Sequence, residues 1–159
     1  VMEQRDSRSD VIAFDVGGAN IKAADGLGWA HAEAFPLWQR PDALAETLGR
    51  IVALRRPRRI VATMTGEIAD CFPSRPVGVA RIIEAVEAAA ASIRPTADLG
   101  IYLVDGSIVP AAEARTRPLA AAAANWHAMA RLAAAHVTTD RAFALDVGST
   151  TTDIVPLER

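Results

Sequence analysis

Two short segments of the chain repeat one another residue type by residue type. Phe14-Asp15-Val16-Gly17-Gly18-Ala19-Asn20-Ile21-Lys22 aligns without a gap on Leu145-Asp146-Val147-Gly148-Ser149-Thr150-Thr151-Thr152-Asp153, with Asp on Asp, Val on Val and Gly on Gly, 131 positions apart from Asp15 to Asp146. Each copy follows a short apolar run and leads into another, the pattern of a strand, a tight turn and a returning strand. Such a unit delivers a carboxylate to a strand end, lets a glycine backbone bend close to a ligand, and turns the following N–H groups and hydroxyls toward an anion. One Asp-Val-Gly-Gly alone reads as an ordinary hairpin turn. Two copies, the second continued by Thr-Thr-Thr-Asp, point to a shared phosphate. Neither is a Walker loop, because no Gly-Lys-Ser/Thr follows, and neither fits the Gly-x-Gly-x-x-Gly dinucleotide spacing.

The pattern assigns roles. Gly17, Gly18, Asn20 and Lys22 at the first turn, and Gly148, Ser149, Thr150, Thr151 and Asp153 at the second, are the candidate phosphate-binding residues, together with Asp15. Asp15 and Asp146 are the candidate metal ligands, since Mg2+ keeps several waters and takes only one or two carboxylates. Glu67 and Asp70 flank Gly66 just after a predicted strand; Glu67 is the most exposed candidate for a general base, and Asp70 is a substrate ligand or a plain turn cap.

Strand and helix patterns alternate between the two copies. Strands are expected at residues 11–14, 21–24, 30–35, 59–63 and 99–104, with a hairpin at Asp105-Gly106 leading into residues 107–109, and a final pair at 143–146 and 152–155. Helices are expected from Pro41 to Arg56, from Val77 to Ile93 and from Pro118 to Ala135. That order favours an α/β layer fold. The domain reading is a polar leader at 1–10, a lobe at 11–140, and at 141–159 the first hairpin of a second lobe that is otherwise absent. The last strand would then show an uncovered face and an unpaired edge, so the polypeptide is expected to be truncated or completed by a homo-oligomer or a second chain.

Composition narrows the classes. With 17 basic and 19 acidic side chains the net charge is -2, which gives no general field for nucleic acid or an anionic membrane. The one basic spot, Arg55 to Arg59, sits where arginine can cap a helix C-terminus. Alanine-rich runs are broken by charges before they reach the ~20 apolar residues of a membrane helix. Cys71 is the only cysteine, so no internal disulfide is available, which suits a reducing cytoplasm. His31, His127 and His136 share no metal-ligand spacing with acidic partners and read as structural or exposed.

The paired turns resemble those of the actin, heat-shock-protein and sugar-kinase superfamily, in which two related lobes clasp a nucleotide or phosphate. The resemblance implies an α/β, ribonuclease H-like lobe with a mixed sheet and flanking helices. The second motif, Leu145 to Ile154, is similar to the hydantoinase A/oxoprolinase branch. Within it, Thr63-Met64-Thr65-Gly66-Glu67-Ile68-Ala69-Asp70-Cys71-Phe72, with Ala124-Asn125-Trp126, resembles the methanofuran-synthase-like group associated with tetrahydromethanopterin-linked one-carbon metabolism.

The resemblance implies a transferase that joins a furan-methyl (di)phosphate to the amine of a tyramine-glutamate compound with loss of the phosphate group. Mg2+ would be the cofactor, and ATP or the phosphorylated furan would fill the same site. Thr65, Asp70 and Asn125 would contact substrate, with Glu67 and Asp146 catalytic. The alternatives are an ATP-dependent kinase or hydantoinase/oxoprolinase-like amidohydrolase, and a non-catalytic nucleotide-binding module. Ala19 departs from the threonine found in many relatives and removes a hydroxyl from the first turn.

Overall fold

Alternation of large and small residues decides which face of each strand is buried. In a computed structural model, which describes residues 10–147 and 152–158, β1 (Val11–Val16) buries Ile12, Phe14 and Val16 and leaves the intervening side chains toward solvent. It returns as β2 (Asn20–Ala24), and after a turn β3 (Ala30–Ala34) pairs antiparallel with β2. The turn is held by Asp25, whose Oδ1 accepts the Leu27 and Trp29 N–H groups at 2.8 and 3.0 Å while Oδ2 accepts Arg55 at 2.8 Å. Those bonds, the Leu27 N–H first, hold the Asp25 carboxyl below the usual carboxylate range.

A 3₁₀ turn at Pro41–Ala43 opens α1 (Leu44–Arg55), and Arg56 ends it in the left-handed region, donating its N–H to Val52 O at 2.8 Å. Then come β4 (Arg59–Met64), a 3₁₀ turn at Gly66–Ile68, α2 (Arg75–Ala91), β5 (Asp98–Tyr102) and β6 (Ile108–Pro110). Strand order is β3-β2-β1-β4-β5-β6, with β4 parallel to both β1 and β5 and the remaining pairs antiparallel. This mixed sheet with flanking helices is the expected actin/sugar-kinase-like lobe. Leu48, Ile51 and Val52 of α1 and Val79, Ile82, Ile83 and Val86 of α2 close over the buried side chains of β1 and β4. At about 1.5–3 kcal/mol per fully buried aliphatic or Phe side chain, this layer is what holds the first turn in place.

The third helix is not the continuous one expected at 118–135. Instead α3 (Ala111–Thr116), α4 (Pro118–Ala121) and α5 (Asn125–His136) follow one another, and α3 had no sequence counterpart in the expectation. The break falls at Ala123, whose φ is 51°. Alanine propensity favours a continuous helix, but tertiary packing wins here. α4 lies against α2, whereas α5 lies against a separate two-stranded sheet, β7 (Arg141–Val147) paired antiparallel with β8 (Thr152–Glu158). The basic cluster serves the fold: Arg55 joins Asp25 and lies 5.4 Å from the Trp29 ring, and the Arg58 and Arg59 N–H groups donate to Asp10 O. Among the described residues, no helix is long and apolar enough to cross a membrane.

Candidate functional site

The first turn is set by its own backbone and by two segments that pack on it. Gly17 donates its N–H to Asn20 O at 3.0 Å, so that N–H serves the hairpin and is not the phosphate donor expected of it. Its lack of a side chain still matters, since a Cβ would stand 3.0 Å from Asn20 O and 3.6 Å from Thr65 Oγ1. Gly18 is different. Its φ is not positive, and a Cβ there would meet nothing within 4 Å, so neither conformation nor packing demands glycine. The space beside it is open cavity. Gly18 O and Ala19 O accept the Leu37 and Phe35 N–H groups, at 2.9 and 2.8 Å, which ties the segment after β3 to the turn. Gly66 presses on the other side, where a Cβ would fall 2.7 Å from Leu37 Cδ2 and 3.1 Å from the Val16 and Gly17 carbonyl oxygens.

Asp15 and Lys22 face each other across β1 and β2, Nζ to Oδ2 at 3.6 Å. The second hairpin repeats the register, placing Asp146 opposite Asp153. Like charges directly opposite each other in a hairpin are unfavourable by themselves. Both hairpins open on one cavity of about 520 Å³, whose wall includes Asp15, Gly18, Lys22, Asp70, Asp146 and Asp153. Burial pushes the Asp15 carboxyl above its ordinary range; Lys22 pulls it back and the Asp146 charge adds to the rise. Asp15 Oδ1 is buried and has no hydrogen-bond partner.

The same cavity gathers Gly17, Asn20, Thr65 and Asn125 from the sequence candidates. Asn125 Oδ1 caps its own neighbour, accepting the Trp126 N–H at 2.8 Å. Gly148, Ser149, Thr150 and Thr151 lie outside the described residues. Glu67 is a correction: expected as the most exposed base, it is 1% exposed and does not line the cavity. The reason is Gly78 of α2, whose missing side chain lets the helix sit directly on Glu67 O and Cα, sealing the 3₁₀ turn beneath it. Neither Glu67 carboxyl oxygen has a hydrogen bond of normal geometry, and burial raises its pKa against the weaker opposing pull of nearby backbone and Arg75.

Sequence reasoning missed Trp38, Ile68 and Ala123 as cavity residues, and gave Trp126 no role beyond its place in a family motif. A tryptophan in the unpatterned segment Trp38-Gln39-Arg40 was the available signal for the first. Ala123 reaches the wall only because of its left-handed backbone, which no composition reveals.

Residues 58–159 match the sequence profile of the hydantoinase/oxoprolinase family. The chain is also 32% identical over 151 residues to the (4-{4-[2-(gamma-L-glutamylamino)ethyl]phenoxymethyl}furan-2-yl)methanamine synthase of Methanocaldococcus jannaschii, a match that covers 93% of this chain and 43% of that enzyme. The chain thus spans less than half the length of the relative it resembles. A lobe of the expected architecture, two Asp-x-Gly hairpins in equal register and a profile match over more than half the residues lead to one statement: the chain belongs to the hydantoinase/oxoprolinase family.

Proposed function

We propose that the cavity between the hairpins binds a phosphate ester and that the protein joins a furan-methyl (di)phosphate to a second substrate in methanofuran-type cofactor synthesis. The observation that carries this reading is Gly18, a glycine that the chain's own conformation and packing do not require, opening onto a wall that also bears Asp15, Asn20 and Lys22. A ligand's phosphate oxygens in that space account for it.

The wall sets Asp15, Asp70, Asp146 and Asp153 against Lys22, so an entering phosphate meets net negative charge and needs a cation with it. Hydrated Mg2+ fits the donor set, because Asp15 Oδ1 is unpartnered and Asp146 is near enough for its charge to act on Asp15. Among the described residues no three metal-type side chains gather into a cage, and Mg2+, which takes one or two carboxylates and keeps water, requires none. Bound there, the ion would neutralise charge growing on the leaving phosphate oxygen.

The product in the relative's name contains a phenoxymethyl-furan unit, which is an aryl ether. Carried to this chain, that chemistry makes a phenol oxygen the nucleophile in place of the amine expected from the sequence. The new bond joins the phenol oxygen to the methylene carbon on the furan ring that bore the phosphate, the carbon–oxygen bond to phosphate breaks with both electrons leaving on the phosphate, and the phenolic proton departs. Lys22 and Asn20 are placed to hold the leaving group, a use of fixed charge and dipole where charge develops. With Glu67 enclosed and Asp15 beside Lys22, Asp70, Asp146 and Asp153 are the wall carboxylates left to accept the proton. The setting suits a reducing cytoplasm, and the small-molecule partners are the phosphate ester and the phenol.

Incubation with a furan-methyl diphosphate, a tyramine-derived phenol and Mg2+ tests the reading. Aryl ether and diphosphate should appear in equal amounts. The family match favours one competitor, a hydantoinase/oxoprolinase-like amidohydrolase using the same turns; ATP consumption coupled to substrate turnover without ether formation would replace the synthase reading with it or with an ATP-dependent kinase.

A further inference from the structure

The cavity wall carries large apolar side chains beside its charged ones. Trp38, Ile68 and Trp126 are 48%, 55% and 37% exposed, and all three line the wall that carries Asp15 and Lys22. Single exposed apolar side chains need no explanation, but a group of large ones beside a charged concavity marks a binding surface. Of the chain's three tryptophans the other, Trp29, is committed to the fold, lying parallel to His31 at 6.3 Å and beneath Arg55.

Both cavity tryptophans leave ring surface exposed on segments that are themselves tied down. Trp38 follows Leu37, whose N–H is bonded to Gly18 O at 2.9 Å, so the backbone that carries the indole is tied to the phosphate turn. Trp126 meets the His127 ring edge-on at 5.6 Å, and His127 Nδ1 is in turn 3.0 Å from the Tyr102 hydroxyl. A ring held as Trp126 is loses little freedom when a ligand docks on it.

We propose that Trp38 and Trp126 form an aromatic subsite that selects phosphate esters carrying a flat ring directly behind the phosphate-bearing carbon. The inference rests on the phosphate reading of the cavity and adds to it the residues that recognise the ring of the ester. An offset or edge-on ring contact distinguishes aryl from alkyl bodies of the ester. Trp38 and Trp126 are specificity-determining residues and take no part in bond breaking.

Calorimetric titration of the protein with Mg2+ and, separately, inorganic diphosphate, methyl diphosphate and benzyl diphosphate tests this. Benzyl diphosphate should bind about tenfold tighter than methyl diphosphate, the size expected of one or two ring contacts. Trp38→Ala and Trp126→Ala should each cut that preference to about threefold or less while leaving inorganic diphosphate binding unchanged, and Trp38→Phe and Trp126→Phe should restore most of it. Equal affinity for benzyl and methyl diphosphate, or a preference that survives both alanine variants, overturns the subsite and leaves the phosphate reading standing. Failure of the unaltered protein to bind inorganic diphosphate at all overturns both.

Discussion

The two hairpins share one register and bury opposite faces. Asp15 pairs with Lys22 and Asp146 with Asp153, and every neighbouring pair matches in step, Val16 with Ile21 as Val147 with Thr152. In the first hairpin Ile12, Phe14 and Val16 are sealed under α1 and α2. Their counterparts Phe143, Leu145 and Val147 are 72%, 65% and 75% exposed. The other face reverses the order: Val11, Ala13 and Ala24 are open, whereas Ala142, Ala144 and Val155 pack with α5. The turn chemistry is repeated, and the layer that covers it is not. Helices that follow the first hairpin cover one side of it, while the helix that precedes the second covers the other. The second hairpin is apolar on both faces, which is the composition of strands buried on both sides.

Matched truncations give the largest expected contrast. Phe14→Ala should cost about 3–5 kcal/mol of stability, because it opens a cavity in a filled core. Leu145→Ala, at the equivalent position, should change stability by less than about 0.5 kcal/mol, since an exposed side chain has little burial to lose. Chemical denaturation of both variants measures this. A comparable loss for Leu145→Ala would mean that another chain or copy covers that face in solution, and the effect would then grow with protein concentration.

Charge separates the hairpins next. Asp153→Lys would give the second hairpin the Asp–Lys pairing of the first, relieving the repulsion with Asp146 and adding up to about 1 kcal/mol to its stability. It would also remove one of the carboxylates on the cavity wall. Mg2+-dependent binding of inorganic diphosphate should fall by about a hundredfold in Asp146→Asn, and Mg2+ should lose its effect on binding in Asp153→Lys. Titrations with and without Mg2+ read both. Unchanged Mg2+ dependence in Asp146→Asn would confine the cation to the first hairpin.

How much of this was legible in the sequence follows the same division. The strand and turn pattern, the mixed α/β order and the convergence of Asp15 with Asp146 were readable because each rests on local spacing: apolar alternation, a glycine pair, an acidic strand end. Where long-range packing decides, the sequence was silent or misleading. The run from Pro118 to Ala135 has the propensity of one helix, and only the separate anchoring of α4 on α2 and α5 on the second sheet breaks it at Ala123. Glu67 looked accessible beside Gly66 because nothing local shows that Gly78, eleven residues on, lets α2 close over it.

The two glycines of the first turn make a smaller and sharper contrast. Gly17→Ala pushes a Cβ against Asn20 O at 3.0 Å, inside the hairpin's own hydrogen bond, and should lower stability by about 1 kcal/mol. Gly18→Ala meets nothing and has no positive φ to strain, so stability should hold within about 0.5 kcal/mol while diphosphate affinity falls about tenfold. Thermal melts and calorimetry separate the two quantities. Full diphosphate affinity in a well-folded Gly18→Ala protein would show that no ligand occupies that space.

Glu67 follows Gly66, which packs on the first turn, and yields the smallest effect, one that changes with pH. Its folded pKa lies above the ordinary value of 4.5 because burial disfavours the charged form. A group raised in this way stabilises the fold fully below its unfolded pKa, and that contribution is lost as pH climbs from the unfolded value through the folded one. At neutral pH the native state therefore carries the cost of an enclosed, unpartnered carboxyl group, and Glu67→Gln, which keeps the shape without the charge, should be more stable by about 1 kcal/mol. Below about pH 4 both proteins should unfold at nearly the same denaturant concentration, since the carboxyl is protonated in folded and unfolded chains alike. The opposite ordering at pH 7, with Glu67→Gln the weaker protein, would mean that the ionised carboxylate is held by Arg75 in solution, and Glu67 would then be a buried ion-pair partner that stabilises the turn.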